Sequence, residues 1–175
     1  WQIHHRGFDN FIAVLEWLTN YYQSEIGNTP DKVVLAGGSA GGYGVLLALP
    51  AVKQVLPRRT RTYVLADSAN GVISDDFYTR ALGGYAVSDG VWGIEQNIPE
   101  FLLASFASGP DSLALSTYTT RAWRYPRTRI GQYTRAWDAV QIFYYNVSKQ
   151  LEFPERWNDP EYLLATAVEW SVKAR

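Results

Sequence analysis

Ser39 stands at the centre of Gly37-Gly38-Ser39-Ala40-Gly41, a G-x-S-x-G run flanked by residues without bulk. The spacing fits a nucleophile elbow, a turn sharp enough to lift a serine hydroxyl above the edge of a sheet. A serine hydroxyl is a weak nucleophile at neutral pH. It needs a base to take its proton and a carboxylate to orient that base. The chemistry implied is acyl transfer through a serine ester. The backbone N–H of Ala40, the residue after the nucleophile, would be one donor to the developing oxyanion. Gly37 and Gly41 are expected to be glycine because a side chain there would clash with neighbouring backbone; Gly42 extends the run as a supporting position. A Walker-type phosphate loop would need a Lys before its Ser or Thr, and the dinucleotide G-x-G-x-x-G spacing also fails. The competing reading is a glycine turn that only packs a strand on a helix.

In the α/β-hydrolase arrangement the catalytic residues follow the chain order Ser, then Asp or Glu, then His. Two acids qualify. Asp67 directly follows a short apolar run, but Ser68 comes next, so it also reads as the cap of a turn. Asp138 lies beyond a later strand, where an N-cap of the following helix is the competing role. The two roles of Asp138 are compatible. His4 and His5 are the only histidines and both precede Ser39. Ordinary hydrogen bonding near the sheet edge suits them better than catalysis, so the base is expected after Arg175. The second oxyanion donor is likewise expected from a loop before the elbow, outside these residues.

Elements must deliver these groups to one place. Phe8, Phe11, Ile12, Leu15, Leu18 and Tyr22 recur at helical spacing, and Asn28-Thr29-Pro30-Asp31 closes that segment. Val33 to Ala36 is a buried strand that runs into the elbow, and a helix follows to about Leu56, with Pro50 expected to kink or split it. Arg61 to Ala66 is a second strand, so strand, helix and strand form a βαβ unit and a parallel sheet. From Gly71 to Arg127 the pattern becomes short helical pieces rich in aromatics, including Tyr85, Trp92, Phe101, Phe106 and Trp123. This stretch reads as a helical, cap-like insertion over the carboxyl edge of the sheet, its aromatics mostly core. Thr128 to Thr134 is a third strand, interrupted by Arg129 and Gly131. The next helix is expected to carry Val140, Phe143, Tyr144, Val147 and Leu151 on one face, and Asp159-Pro160 starts the last one.

The chain has 175 residues with 16 basic and 17 acidic side chains, a size that suits one domain with a substantial core. No basic patch argues for nucleic acid, no apolar run reaches the length of a membrane span, and no cofactor is implied. The absence of cysteine excludes disulfides and thiolate metal sites within these residues. No His/Asp/Glu cluster has metal-ligand spacing. Asn146-Val147-Ser148 matches a glycosylation sequon, but on a predicted helix it reads as incidental.

The elbow with its flanks, V-V-L-A-G-G-S-A-G-G-Y-G-V-L-L, resembles the nucleophile motif of the pectin acetylesterase family. That family spans plant cell-wall enzymes, the animal Notum carboxylesterases and bacterial members. Leu65-Ala66-Asp67-Ser68 is similar to its segment after the next strand, and Trp137-Asp138-Ala139-Val140-Gln141 to its acid motif. His5-Arg6-Gly7-Phe8-Asp9-Asn10 is similar to the segment before the elbow in bacterial members. The resemblance implies that Ser39 is the nucleophile, that Asp138 is the triad acid, and that Asp67 supports the core below the site. It favours a secreted or periplasmic setting. Gly38 stands where plant members carry Cys.

Together these readings imply a three-layer α/β-hydrolase-like fold with a mostly parallel sheet. It is a single partial domain over 1–175, incomplete at both ends, with 71–127 inserted. The expected activity is a serine carboxylesterase removing an acyl, typically acetyl, group from a small-molecule or glycan ester. The alternative is a non-catalytic α/β module that binds a carbohydrate or protein in the same crevice. A peptidase or thioesterase is compatible with the triad alone.

Overall fold

A computed structural model describes residues 6–84, 92, 94 and 98–175, apart from the side chains of 112–115. His4, His5 and Tyr85 lie outside the described residues. The three expected strands are present: β1 (Lys32–Gly38), β2 (Arg61–Asp67) and β3 (Thr128–Tyr133), parallel and in the order β1-β2-β3. Gly38 aligns with Asp67, and Asp67 with Tyr133, so all three strands end at one edge. Parallel pairing forces each connection to cross back over the sheet, and helices do this here.

Helix α1 (Gly7–Tyr21) precedes the sheet and ends in a wider π turn over Tyr22–Ile26. Helix α2 (Ala40–Val55) crosses from β1 to β2. Between β2 and β3 come α3 (Asp75–Arg80), α4 (Leu103–Ala107) and α5 (Pro110–Arg124). After β3 come α6 (Ala139–Lys149) and α7 (Pro160–Lys173), the latter capped by the Asp159 carboxylate, which accepts from Glu161 N–H at 2.9 Å.

One face of the sheet is covered. Leu46 and Leu49 of α2 pack on Val64 and Ala66 of β2, and Tyr118 and Tyr125 from α5 and its end join them. On the opposite face Val34, Leu65 and Tyr133 are exposed. Two smaller cores lie beside this one, around Tyr78 and Phe106, and around Ile142, Tyr145 and Trp170.

Four expectations need correction. Of the kink or split expected at Pro50, the split does not occur, since α2 is continuous through it. A proline at 50 offers no N–H to the carbonyl four residues back, Leu46. That carbonyl instead accepts from Nε of the fully buried Arg121, at 2.8 Å. Arg121 Nη1 also donates to its own helix at Thr117 O. Second, α5 of the expected cap is part of the sheet's covered core, where it packs together with α2.

Third, α6 is rotated from its expected facing. Val140 and Tyr144 are exposed, while Ile142, Tyr145 and Asn146 are buried. Asn146 decides the rotation. Its Nδ2 donates to Arg156 O and Trp157 O, and its Oδ1 accepts from Thr166 Oγ1. A fully satisfied, buried amide is inaccessible to glycosylation, which agrees with the incidental reading of the sequon. Fourth, the insertion aromatics divide: Phe106 is core and stacks on Tyr78, whereas Trp92 and Trp123 are exposed.

Candidate active site

Ser39 links β1 to α2 with φ 53° and ψ −124°, a left-handed conformation that a serine rarely adopts. Such a residue costs on the order of 1–3 kcal/mol and persists only where its surroundings hold it. Main-chain hydrogen bonds hold it here. Ser39 N–H donates to Asp67 O at 2.8 Å, tying the turn to the end of β2, and Ser39 O accepts from Gly42 N–H at 2.9 Å. The side chain is exposed. Ala40 opens α2, so its N–H belongs to the first helical turn, where amides lack the partner four residues back that later turns have.

The glycines differ in what they do. A Cβ on Gly37 would stand 2.2 Å from Gly41 O, and one on Gly42 would stand 2.6 Å from the Ala69 Cβ. Gly38 and Gly41 have open space. The crowding expected at both Gly37 and Gly41 therefore falls on Gly37 and Gly42. They let the helix start close against the strand that launches it and against the exit of β2.

Asp138 follows β3 and is nearly buried. Its Oδ1 accepts from the N–H groups of Val140 and Gln141 at 3.1 and 3.0 Å, capping α6. Its Oδ2 accepts from Gln141 Nε2 at 3.0 Å, and the same nitrogen donates to Thr134 Oγ1 at 2.7 Å. The cap expected of Asp138 is thus present, and Gln141 grips both carboxylate oxygens. Burial pushes the Asp138 carboxyl up, but hydrogen bonds from Gln141, Ser68 and Val140 outweigh it and hold the group below its ordinary value.

The sign of the pH dependence follows. A folded value below 3.8 means the carboxylate form stabilises the fold above that pH, and the contribution disappears as pH falls through the folded value. Thermal melts of the full-length protein and of Asp138→Asn should therefore differ most near neutrality and converge below pH 3.8. A gap independent of pH would refute the role of these donors.

Asp67 departs from its expected place. It is not part of a core below the site; its side chain is exposed at the sheet edge. With Ala36, Gly37, Gly38 and Leu65 it lines an open hollow of about 320 Å³ beside the elbow. Its carbonyl oxygen, rather than its carboxylate, holds Ser39.

The loop after β2 braces the other two exits. Ser68 also has a left-handed backbone, with φ 52°, and its N–H donates to Tyr133 O at 2.7 Å. Tyr118 Oη donates to Ala69 O, and Tyr43 Oη accepts from Gly71 N–H at 3.0 Å. Burial pushes the Tyr118 phenol up to about 12, so it remains a donor at any working pH. Two signals in sequence mark it: Ser68 follows β2 as Ser39 follows β1, and Leu65-Ala66-Asp67-Ser68 is similar to the family segment after that strand.

Ser39, Ser68 and Asp138 thus leave the same edge of three neighbouring parallel strands, where open α/β sheets place their ligands. Among the described residues no three His, Asp or Glu side chains group to hold a metal ion, and no helix is long and apolar enough to cross a membrane. No curated protein and no solved structure matches the chain. The pectinacetylesterase family model does, over residues 1–169. With the match covering nearly all of its length, the chain belongs to the pectinacetylesterase family.

Proposed function

We propose that the protein is a serine esterase that removes acetyl groups from a carbohydrate, with Ser39 as nucleophile and Asp138 as triad acid. The observation that carries this reading is the strained, exposed Ser39 at the N-terminus of α2, on the same sheet edge as a hydrogen-bonded, ionised carboxylate. A merely structural turn has no use for strain at a serine, since glycine would take that conformation without cost. Family membership supplies the reaction class and the acetylated carbohydrate as substrate.

In the reaction, Ser39 Oγ bonds to the ester carbonyl carbon while its proton passes to a histidine base. The Ala40 N–H donates to the oxygen on which negative charge develops. The carbon–alkoxy bond then breaks, the histidine returns the proton to the departing alcohol, and an acetyl-serine remains. Water repeats the sequence and releases acetate. Asp138 holds the imidazole in the tautomer that accepts the proton and stabilises the imidazolium that forms. His4 and His5 both precede Ser39, the reverse of the chain order Ser, acid, His, so neither is assigned as the base.

Covalent labelling of the full-length protein tests the assignment. A fluorophosphonate ester should modify one residue, recovered by peptide mass spectrometry as Ser39, in parallel with loss of acetyl-ester hydrolysis. Complete inactivation with the label on another serine would overturn it.

A further inference from the structure

One side chain closes the loop between β3 and α6. Gln141, in the first turn of α6, donates from Nε2 to Asp138 Oδ2 at 3.0 Å and to Thr134 Oγ1 at 2.7 Å, so both hydrogens of its amide are used. The amide must face this way, because a carboxylate can only accept. Oδ1 of the same carboxylate accepts the N–H groups of Val140 and Gln141. Those two bonds satisfy the helix start, but the torsion that sets the carboxylate plane is soft, and a donor on Oδ2 is what fixes it. Thr134 follows Tyr133, the last residue of β3, whose carbonyl accepts Ser68 N–H at 2.7 Å. Asp67 O, one residue before Ser68, accepts Ser39 N–H at 2.8 Å. A line of hydrogen bonds and strand ends therefore runs from the acid to the elbow, and the Gln141 amide is its side-chain link.

We propose that Gln141 is a positioning residue for the acetyl transfer, anchored on Thr134 and holding the Asp138 carboxylate so that Oδ2 is the oxygen presented to the base. The inference rests on the assignment of Ser39 and Asp138 to that reaction. Oδ1 is committed to two main-chain donors, which α6 cannot give up without exposing its first turn. The imidazole N–H therefore goes to Oδ2, beside the Gln141 amide. Capping alone does not call for this clamp. Asp159 caps α7 through the N–H of Glu161, whereas Asp138 is gripped by main chain and side chain together.

Three variants of the full-length protein test the proposal. Gln141→Leu keeps the bulk and removes the amide. It should lower kcat for an acetyl ester about tenfold with KM unchanged, the effect of losing one hydrogen bond to a charged group. The acidic limb of its kcat/KM profile should move to higher pH, because a carboxylate with fewer donors raises the pKa of the base it holds. Thr134→Val, similar in shape but without an acceptor, should also lower kcat, and Thr134→Ser, which keeps the hydroxyl, should match the parent. If Gln141→Leu does not fold, the Thr134 pair decides alone. Gln141→Leu within about twofold of parental kcat, a lowered kcat with the acidic limb unmoved, or equal kcat in the two Thr134 variants would overturn the proposal while Ser39→Ala remains inactive. Activity retained in Ser39→Ala would overturn the underlying assignment as well.

Discussion

Ser39→Ala in the full-length protein should lower kcat for an acetyl ester by on the order of 10⁴-fold or more, with a residual rate from oxyanion donors and binding alone. The magnitude follows from chemistry: without Oγ no acyl-enzyme forms, and the acid and base have nothing to activate. Stability should respond in the opposite sense to intuition. Alanine keeps the Cβ and therefore the unfavourable backbone at φ 53°, and the hydrogen bonds that hold the turn come from main-chain groups. Ser39→Ala should thus melt like the parent, and Ser39→Gly, equally inactive, should melt higher as the strain is relieved. An inactive but destabilised Ser39→Ala would point to a structural serine. Near-normal turnover would remove the nucleophile altogether.

The second large effect is expected at Gly37. A Cβ there meets Gly41 O at 2.2 Å and Gly41 C at 2.4 Å, and both atoms are backbone. No rotamer can relieve that contact, so either α2 moves off β1 or the turn opens. Gly37→Ala should cost roughly 2–4 kcal/mol, beyond ordinary overpacking because main chain must move. It should also reduce kcat, since Ser39 moves with the turn. Gly41→Ala is the control: its Cβ enters open space at the start of a helix, and stability should change by about 1 kcal/mol at most. Urea denaturation of the three proteins decides the matter, and equal midpoints for the two variants would refute this account.

The motif alone could not distinguish these glycines, because G-x-S-x-G treats Gly37 and Gly41 alike. Which of them is crowded depends on how closely helix and strand approach. The strands themselves were legible as short runs at Val33 to Ala36, Arg61 to Ala66 and Thr128 to Thr134, the last despite Arg129 and Gly131. Local signals sufficed there because β1 and β2 carry apolar residues on their covered faces, while β3 keeps only Ile130 of that pattern. They failed for α6, where an amide, not the apolar stripe of Val140 and Tyr144, selects the buried face. They failed for Asp67 because a carboxylate after a strand looks the same whether it points to solvent or into a core. The backbone of Ser68 was not legible, since nothing in residue type announces a left-handed serine. Asp138 was found as both cap and candidate acid because its neighbours, above all Gln141, are close in sequence.

Pro50 shows the limit most clearly, and it has a consequence for anyone who re-engineers the protein. Whether a proline breaks this helix depends on a guanidinium that arrives 71 positions later, from a segment that a sequence reading treats as separable. Positions 50 and 121 therefore form a compensating pair. A chimaera that exchanges residues 71–127 for another segment must either retain an arginine at 121 or restore a residue with an amide hydrogen at 50. Otherwise the helix that follows Ser39 carries an orphaned carbonyl in its middle. The segment that reads as an accessory is, at this one contact, part of the chassis.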